Sequence, residues 1–374
     1  MCGIVGFISN IREEDLILSI TKSMSHRGPD EINTAIYPIG DKLLHLGSAR
    51  LSITGLKDGG MPMEDKNGNV LIYNGEIYEL DKLKSNYSLD LNSKSDTRHL
   101  LNILSSQNID EINNLNGMYA FGYYDKANQR IVLGRDKLGI KPLYFGSNNN
   151  YSFYFSSEIK PLITHNIIEN RITENSITNY LYSGGVNTLE GLYGELNSQI
   201  PGSITEYTNN KIIKNINLKT NYKNPQNKTG SIQEFNSLFS NALNDQLNAE
   251  VPVNILLSGG VDSSLVALFA KKHLNRNVTA YSLGYENEIY NESNEADKIS
   301  NELDLNLVKF NFPQNQNELI IDELINKLPE PIADPSIIPT YYLSKRVSEF
   351  TKVVITGDGA DELFGGYEWY RGAL

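Results

Sequence analysis

Cys2 is the one cysteine in a chain of 374 residues, and it follows the initiator methionine directly. A lone thiol has no intrachain disulfide partner. Removal of Met1 leaves a thiol and a free α-amine on the same residue. An unperturbed α-amine titrates at about 7.7–8.0, so part of it is unprotonated near neutral pH. It can then act as the base that activates its own thiol as a nucleophile. The plain alternative is a chance cysteine in a frayed terminus. Two further clusters lie in the second half. Ser258-Gly259-Gly260-Val261-Asp262-Ser263-Ser264 follows the apolar run Val251–Leu257 and precedes an apolar helix predicted over Leu265–Leu274. Strand, glycine-rich loop and helix N-terminus form an arrangement that binds phosphate through free N–H groups and the helix dipole. It is not a Walker loop, because no Lys-Ser/Thr follows the glycines. The stretch Gly357–Tyr367 carries Asp358, Asp361 and Glu362. Three carboxylates this close repel one another without a cation, which points to Mg²⁺, a taker of hard oxygen ligands. A solvated turn or helix cap is the alternative for such an acidic loop.

The elements that must position these groups follow from spacing and punctuation. In the first half, Gly3–Ile8, Leu43–Ile53, Val70–Tyr73, Met118–Tyr124, Arg130–Arg135, Leu143–Gly146, Tyr151–Phe155 and Gly202–Tyr207 read as strands, the last closing the domain. Helices are expected at Glu13–Met24, Thr97–Leu104 and Thr173–Tyr182. Asn74-Gly75 is by itself a strong tight-turn signal, and Asp96 an expected N-cap. This is an α+β domain over 2–205. Lys211–Gly230 is polar and rich in Asn and Lys, so 206–230 reads as a linker. From 231 to 374, apolar strands alternate with helices, the pattern of a doubly wound α/β domain whose ligands sit at the carboxyl ends of parallel strands.

Composition narrows the classes. Hydrophobic residues make up 40% and charged residues 21%, ordinary for a globular chain, and the net charge is −12. Nucleic-acid binding and anionic-membrane binding both need a basic face, so neither is expected. No apolar run approaches the roughly 18–20 residues of a membrane span. With a single thiol and no signal-peptide pattern at the N-terminus, a cytoplasmic location is expected.

Several motifs keep both order and rough spacing: Met1-Cys2-Gly3-Ile4, His26–Asp30, Arg50–Ile53, Tyr73-Asn74-Gly75-Glu76-Ile77-Tyr78, Ser95-Asp96, Gly117–Phe121 and Arg135–Tyr144. Together they resemble the N-terminal-nucleophile glutaminase domain of the asparagine synthetase family. The two later clusters resemble that family's synthetase domain, of the type that cleaves ATP to AMP and pyrophosphate. The resemblance implies a four-layer αββα first domain. In it Cys2 attacks the glutamine amide carbon, giving a thioester and ammonia. The Asn74 side chain and the Gly75 N–H form the oxyanion hole. Arg50 takes the glutamine α-carboxylate, Glu76 and Asp96 the α-ammonium side, and Leu51, Ser52, Ile53 and Thr54 line the pocket. In the second domain Ser258, Gly259, Gly260 and Ser263 cradle pyrophosphate. Asp262 and Asp361 hold Mg²⁺, and Leu256, Leu283, Thr356 and Gly357 contact the adenosine part. Asp358 serves the acyl-adenylate step. The implied substrates are glutamine, aspartate and ATP, and a homodimer is plausible within the family. Ser48 and Met61 depart from the family's usual residues there. Family members continue beyond Leu374 through a helical portion with a catalytic lysine, which implies an incomplete second domain. Two alternatives stay open: amidation of another carboxylate such as a sugar acid, or a chain that keeps only glutamine hydrolysis or binding.

Overall fold

A computed structural model describes the chain except for residues 80–92, 107–108, 186–191, 209–210, 219–229, 286–290, 292, 314–316, 329, 368–369, 371 and 373–374. Internal packing divides it into two units, Met1–Asn224 with Lys327–Ala333, and Pro225–Asn326 with Asp334–Leu374. Among the described residues no helix is long and apolar enough to cross a membrane.

The first unit is built on β1 (Gly3–Ser9), α1 (Glu14–Ser23), β2 (Glu31–Ile39), β3 (Lys42–Arg50), β4 (Met63–Glu64), β5 (Val70–Ile77), α2 (Asp96–Ser105), β6 (Gly117–Asp125), β7 (Arg130–Arg135), β8 (Tyr144–Gly146), β9 (Phe153–Ser156), α3 (Lys160–Thr164), α4 (Glu174–Ser183), β10 (Leu196–Ser198), β11 (Ser203–Thr208) and β12 (Lys211–Asn217). They form two six-stranded sheets, in the orders β10-β8-β9-β1-β3-β2 and β12-β11-β7-β6-β5-β4. Every pairing is antiparallel. Side chains alternate across each strand. Ile4, Ile8, Leu44, Leu46, Val70, Ile72 and Ala120 pack into one core shared by both sheets. On the outer face of the first sheet, Val5, Phe7 and Ala49 pack on Ile17 and Ile20 of α1. On the outer face of the second, Leu71, Tyr73 and Phe121 pack on Leu100, Leu101 and Leu104 of α2. Helix, sheet, sheet, helix is the four-layer order that the resemblance implies.

Three local readings change. Lys211–Asn217, read as part of the 206–230 linker, is strand β12, and it pairs with β11 from Ser203↔Asn217 to Thr208↔Lys211. Ile216 and Leu218 close the core beside it, so the strand's apolar positions decide over its polar composition. The rest of the expected linker, 219–229, lies outside the described residues. Asn74-Gly75 is not a turn, because β5 runs through to Ile77, with Asn74 opposite Ala120 and Gly75 opposite Tyr119. A Cβ at Gly75 would stand 2.3 Å from the Met118 carbonyl oxygen, so close approach of β6 requires glycine there. The sequence reading leaves residues 31–39 unassigned, yet they form β2. It is an edge strand, which is where Pro38 is tolerated.

The loop after β7 is fixed by one buried carboxylate. Asp136 accepts the backbone N–H of Tyr119 (3.1 Å), Leu138 (3.1 Å), Ile140 (2.9 Å) and Lys141 (3.0 Å). Asp136→Ala leaves these donors without their acceptor. The expected cost is about 3 kcal/mol or more, seen as a lower urea midpoint at unchanged slope.

The second unit carries α5 (Ile232–Leu247), β13 (Val253–Leu256), α6 (Val261–Leu268), β14 (Thr279–Gly284), α7 (Ser293–Leu303), β15 (Asn306–Asn311), α8 (Asn317–Ile325), α9 (Ile337–Val347), β16 (Val353–Ile355) and α10 (Ala360–Phe364). Its sheet is parallel, in the order β15-β14-β13-β16. The chain moves one way from β13 to β15, then returns to the other side of β13 as β16. That reversal is the topological switch point at which open α/β sheets bind ligands. The helix after the glycine-rich loop begins at Val261, inside the motif and four residues earlier than expected. It ends in a π-helical turn at Phe269–His273.

Candidate active site

The antiparallel register places Gly3 opposite Ala49, so Cys2, at the start of β1, lies beside the end of β3 at Arg50. Strand parity does the rest. Ser48 and Arg50 share a face with Leu44 and Leu46, and Asn74 and Glu76 with Val70 and Ile72, so these four belong to the faces that front each other between the two sheets. Cys2, just ahead of β1, packs with Leu71 and Tyr73.

Cys2 is 9% exposed, and its thiol points at the Leu51 carbonyl oxygen, 3.8 Å away. Burial pushes the thiol's pKa up, and the neighbouring α-amine opposes that rise. This amine is carried by Met1 and stands in for the one that processing exposes on Cys2. Burial, with help from Lys141 and Arg27, pushes it down to about 6. Arg27 Nε donates to the Cys2 carbonyl oxygen at 3.0 Å, and its NH1 binds Glu158 at 2.9 Å. Although burial acts the other way, the bonds from His26 and Arg27 hold the Glu158 carboxyl below its ordinary value.

Asn74 is fully buried, and among the described residues neither end of its side-chain amide has a hydrogen-bond partner. Buried amides are nearly always paired, and an unpaired one costs stability. A donor held this way is available to an oxygen that arrives from outside the protein.

Asp96 is the first helical residue of α2, and the N-cap is Ser95, which accepts the Arg98 N–H. The Asp96 carboxylate is therefore free for tertiary bonds. It accepts the Tyr73 hydroxyl at 2.9 Å and the Ile77 N–H at 3.2 Å. The Thr54 hydroxyl stands between two carboxylates, 3.2 Å from Glu76 and 3.4 Å from Asp96. Burial and then the charge of Asp96 push the Glu76 pKa up to about 8. A buried carboxylate and a half-buried one that resist ionising together are a site for a cation. Arg50 is 4% exposed. It binds Glu31 through NH1 at 2.5 Å and the carbonyls of Thr54 (3.2 Å) and Gly55 (2.8 Å) through NH2. Ser52 is anchored by Asp30, whose carboxylate accepts its N–H at 2.7 Å.

In the second unit the loops after β13 and β16 meet. A Cβ on Gly357 would lie 3.0 Å from Asp262 Cβ and from the Ser263 nitrogen. Ser258, Gly260 and Ser263 tie the loop together: the two serine hydroxyls are 3.0 Å apart and the Gly260 N–H reaches Ser258 at 3.2 Å. Gly259 has a φ of +94°, and a Cβ there would meet Ala296 at 2.8 Å. Leu256 and Leu283 sit half-buried on neighbouring strands. The acidic cluster does not converge as the sequence suggests. Asp358 accepts the Thr356 hydroxyl at 2.8 Å and Glu362 the Tyr367 hydroxyl at 2.7 Å. Among the described residues no three His, Cys, Asp or Glu side chains gather as a metal site. Crowding of carboxylates is therefore not an argument for a cation.

The profile of the family described as "Glutamine amidotransferase domain" matches residues 1–222, and that described as "Asparagine synthase" matches 234–374. A putative asparagine synthetase [glutamine-hydrolyzing] 2 of Methanocaldococcus jannaschii is 30% identical over 98% of this chain and 76% of its own length. The chain belongs to the asparagine synthetase family. Asparagine synthetase [glutamine-hydrolyzing] 1 of Bacillus subtilis is 31% identical over the whole chain, which spans 60% of that relative. Asparagine synthetase B of Escherichia coli is 26% identical, and the chain spans 66% of it.

Within this family's pattern, Arg27, Glu158, Lys141 and Glu31 escape a role in the sequence reading. Arg27 and Lys141 stand inside the motifs His26–Asp30 and Arg135–Tyr144, which is the signal the sequence carries for them. Nothing in the sequence marks Glu158 or Glu31.

Proposed function

We propose that the first unit hydrolyses glutamine and that the chain serves glutamine-dependent asparagine synthesis, with aspartate and ATP as the other substrates. The observation that carries this is Asn74, a fully buried amide without a hydrogen-bond partner among the described residues. The Cys2 thiol gives its proton to the α-amine and attacks the amide carbon. Negative charge develops on the amide oxygen, which the Asn74 amide and the Gly75 N–H stabilise. Collapse releases ammonia and leaves a thioester, which water cleaves to glutamate. Arg50 takes the α-carboxylate. Glu76 and Asp96, bridged by Thr54, take the α-ammonium, and Leu51 to Thr54 frame the pocket. In the second unit Ser258, Gly259, Gly260 and Ser263 cradle the pyrophosphate of ATP at the switch point. Leu256, Leu283, Thr356 and Gly357 meet the adenosine part, and Asp358 serves the adenylation of the aspartate β-carboxylate. Mg²⁺ fits the donor set, because it takes one or two carboxylates together with phosphates. Asp262 and Asp361, each in the first turn of the helix that follows one of the two switch-point loops, would hold it. When bound, the ion neutralises charge on the leaving pyrophosphate.

Two measurements test this. With Met1 removed, the chain is expected to release ammonia from glutamine. In the whole protein, aspartate is expected to support ATP-dependent release of pyrophosphate. Pyrophosphate release with another acid but not with aspartate overturns the choice of acceptor.

The pH dependence follows from Glu76. The folded protein keeps that proton up to about pH 8, whereas the unfolded chain loses it near the ordinary value of 4.5. Between these values the group's contribution to stability falls as pH rises. A bound ammonium needs the ionised form, so glutamine binding displaces the proton. The KM for glutamine is expected to rise as pH drops below about 8, approaching tenfold per unit. A KM flat from pH 8 to 6 contradicts this role of the carboxylate pair.

A further inference from the structure

We infer that Glu31 is an internal competitor for the glutamine α-carboxylate and sets the enzyme's affinity for glutamine. The inference rests on the proposed role of Arg50 as the carboxylate clamp. Glu31 opens the edge strand β2 and is the cross-strand partner of Arg50 in the antiparallel register. Residues directly opposite each other in such a ladder project on the same face. The Glu31 carboxylate reaches Arg50 NH1 at 2.5 Å, and the Ser52 hydroxyl supports it at 3.4 Å. The other terminal nitrogen of the guanidinium is held by the carbonyls of Thr54 and Gly55. An arriving carboxylate therefore meets a guanidinium whose remaining terminal nitrogen already holds one. Two carboxylates on one guanidinium repel each other, so binding requires Glu31 to yield.

The two partners differ in freedom. The Arg50 side chain is 5% exposed and the Glu31 side chain 36%. Arg50 is fixed by its carbonyl partners, whereas Glu31 lies on an edge strand with its side chain partly exposed. The carboxylate that swings away is hydrated, and the clamp stays in place. A pocket that is open only part of the time binds more weakly by the open fraction. If Glu31 covers Arg50 about nine-tenths of the time, apparent affinity drops about tenfold.

Steady-state glutamine hydrolysis by the processed chain tests this with Glu31→Gln, Glu31→Ala and Arg50→Gln. Both Glu31 variants are expected to lower the KM for glutamine about tenfold, with the change in KM rather than kcat. 4-Aminobutanamide, which has no α-carboxylate, is expected to show no such gain. A KM for glutamine that is unchanged or raised in both Glu31 variants overturns the inference. So does an equal gain for 4-aminobutanamide. The clamp is tested separately by Arg50→Gln, which is expected to raise the KM for glutamine. If it does not, the role of Arg50 fails and the competition falls with it. If Arg50→Gln raises the KM while neither Glu31 variant lowers it, Arg50 is the clamp and Glu31 a structural partner only.

Discussion

Replacing Cys2 with alanine is expected to reduce ammonia release from glutamine to background, a loss of about 10⁴-fold or more. The size of the effect comes from the chemistry. Without the sulfur no thioester forms, and water would have to attack an amide directly. No second thiol exists to substitute, because Cys2 is the only cysteine in the chain. Cys2 packs at the margin of a core that includes Leu71, Tyr73 and Leu100, and the removed atom is small. Thermal stability is therefore expected to change little, which separates loss of the nucleophile from loss of fold. Retention of Met1 is expected to have a similar effect on rate. The amine then belongs to Met1, and the Cys2 nitrogen is a peptide nitrogen with no basic lone pair. A processing-deficient form that hydrolyses glutamine at the normal rate contradicts the amine's role as base.

The second large effect concerns Asn74. Asn74→Ala is expected to lower kcat by about 10²–10³-fold with little change in KM, because the donor acts on an oxygen that gains charge only on the way to the tetrahedral intermediate. Stability is expected to move the other way or not at all. The native amide is buried and both of its polar atoms lack partners, so its removal also removes an unsatisfied group. The small cavity left behind works against this gain. A variant that is less active yet no less stable marks a residue kept for function. A large fall in melting temperature together with the lost rate would assign Asn74 to the core instead.

Much of this architecture is legible in the sequence, for reasons that differ by element. β1, β5 and β6 show clean apolar runs bounded by turn residues, so their periodicity is direct. β12 is not legible, since four of its seven residues are Lys or Asn and only pairing with β11 makes it a strand. β2 escapes because Pro38 and Asn33 argue locally against a strand, and only its position at the sheet edge admits them. In the site, Cys2, Asn74 and Asp96 are readable as residue types at motif spacings. Their convergence is not, because it depends on which face of each strand they occupy and on the Gly3↔Ala49 register. Local rules even mislead at two of them. Asn74-Gly75 signals a turn and Asp96 a cap, yet long-range packing makes the first a strand interior and gives the cap to Ser95. The acidic stretch after β16 misleads in the opposite direction. Its charges look mutually frustrated on paper, whereas hydroxyls of Thr356 and Tyr367 take up Asp358 and Glu362.

The central claim, that Cys2 forms a thioester with the glutamyl group, is tested most directly by trapping it. The processed chain is mixed with glutamine, quenched in acid during turnover and mapped by peptide mass spectrometry. The γ-glutamyl group is expected on the N-terminal peptide at Cys2, and it is expected to be absent when Met1 is retained. Steady turnover with no label on Cys2, or with label on another residue, contradicts the account.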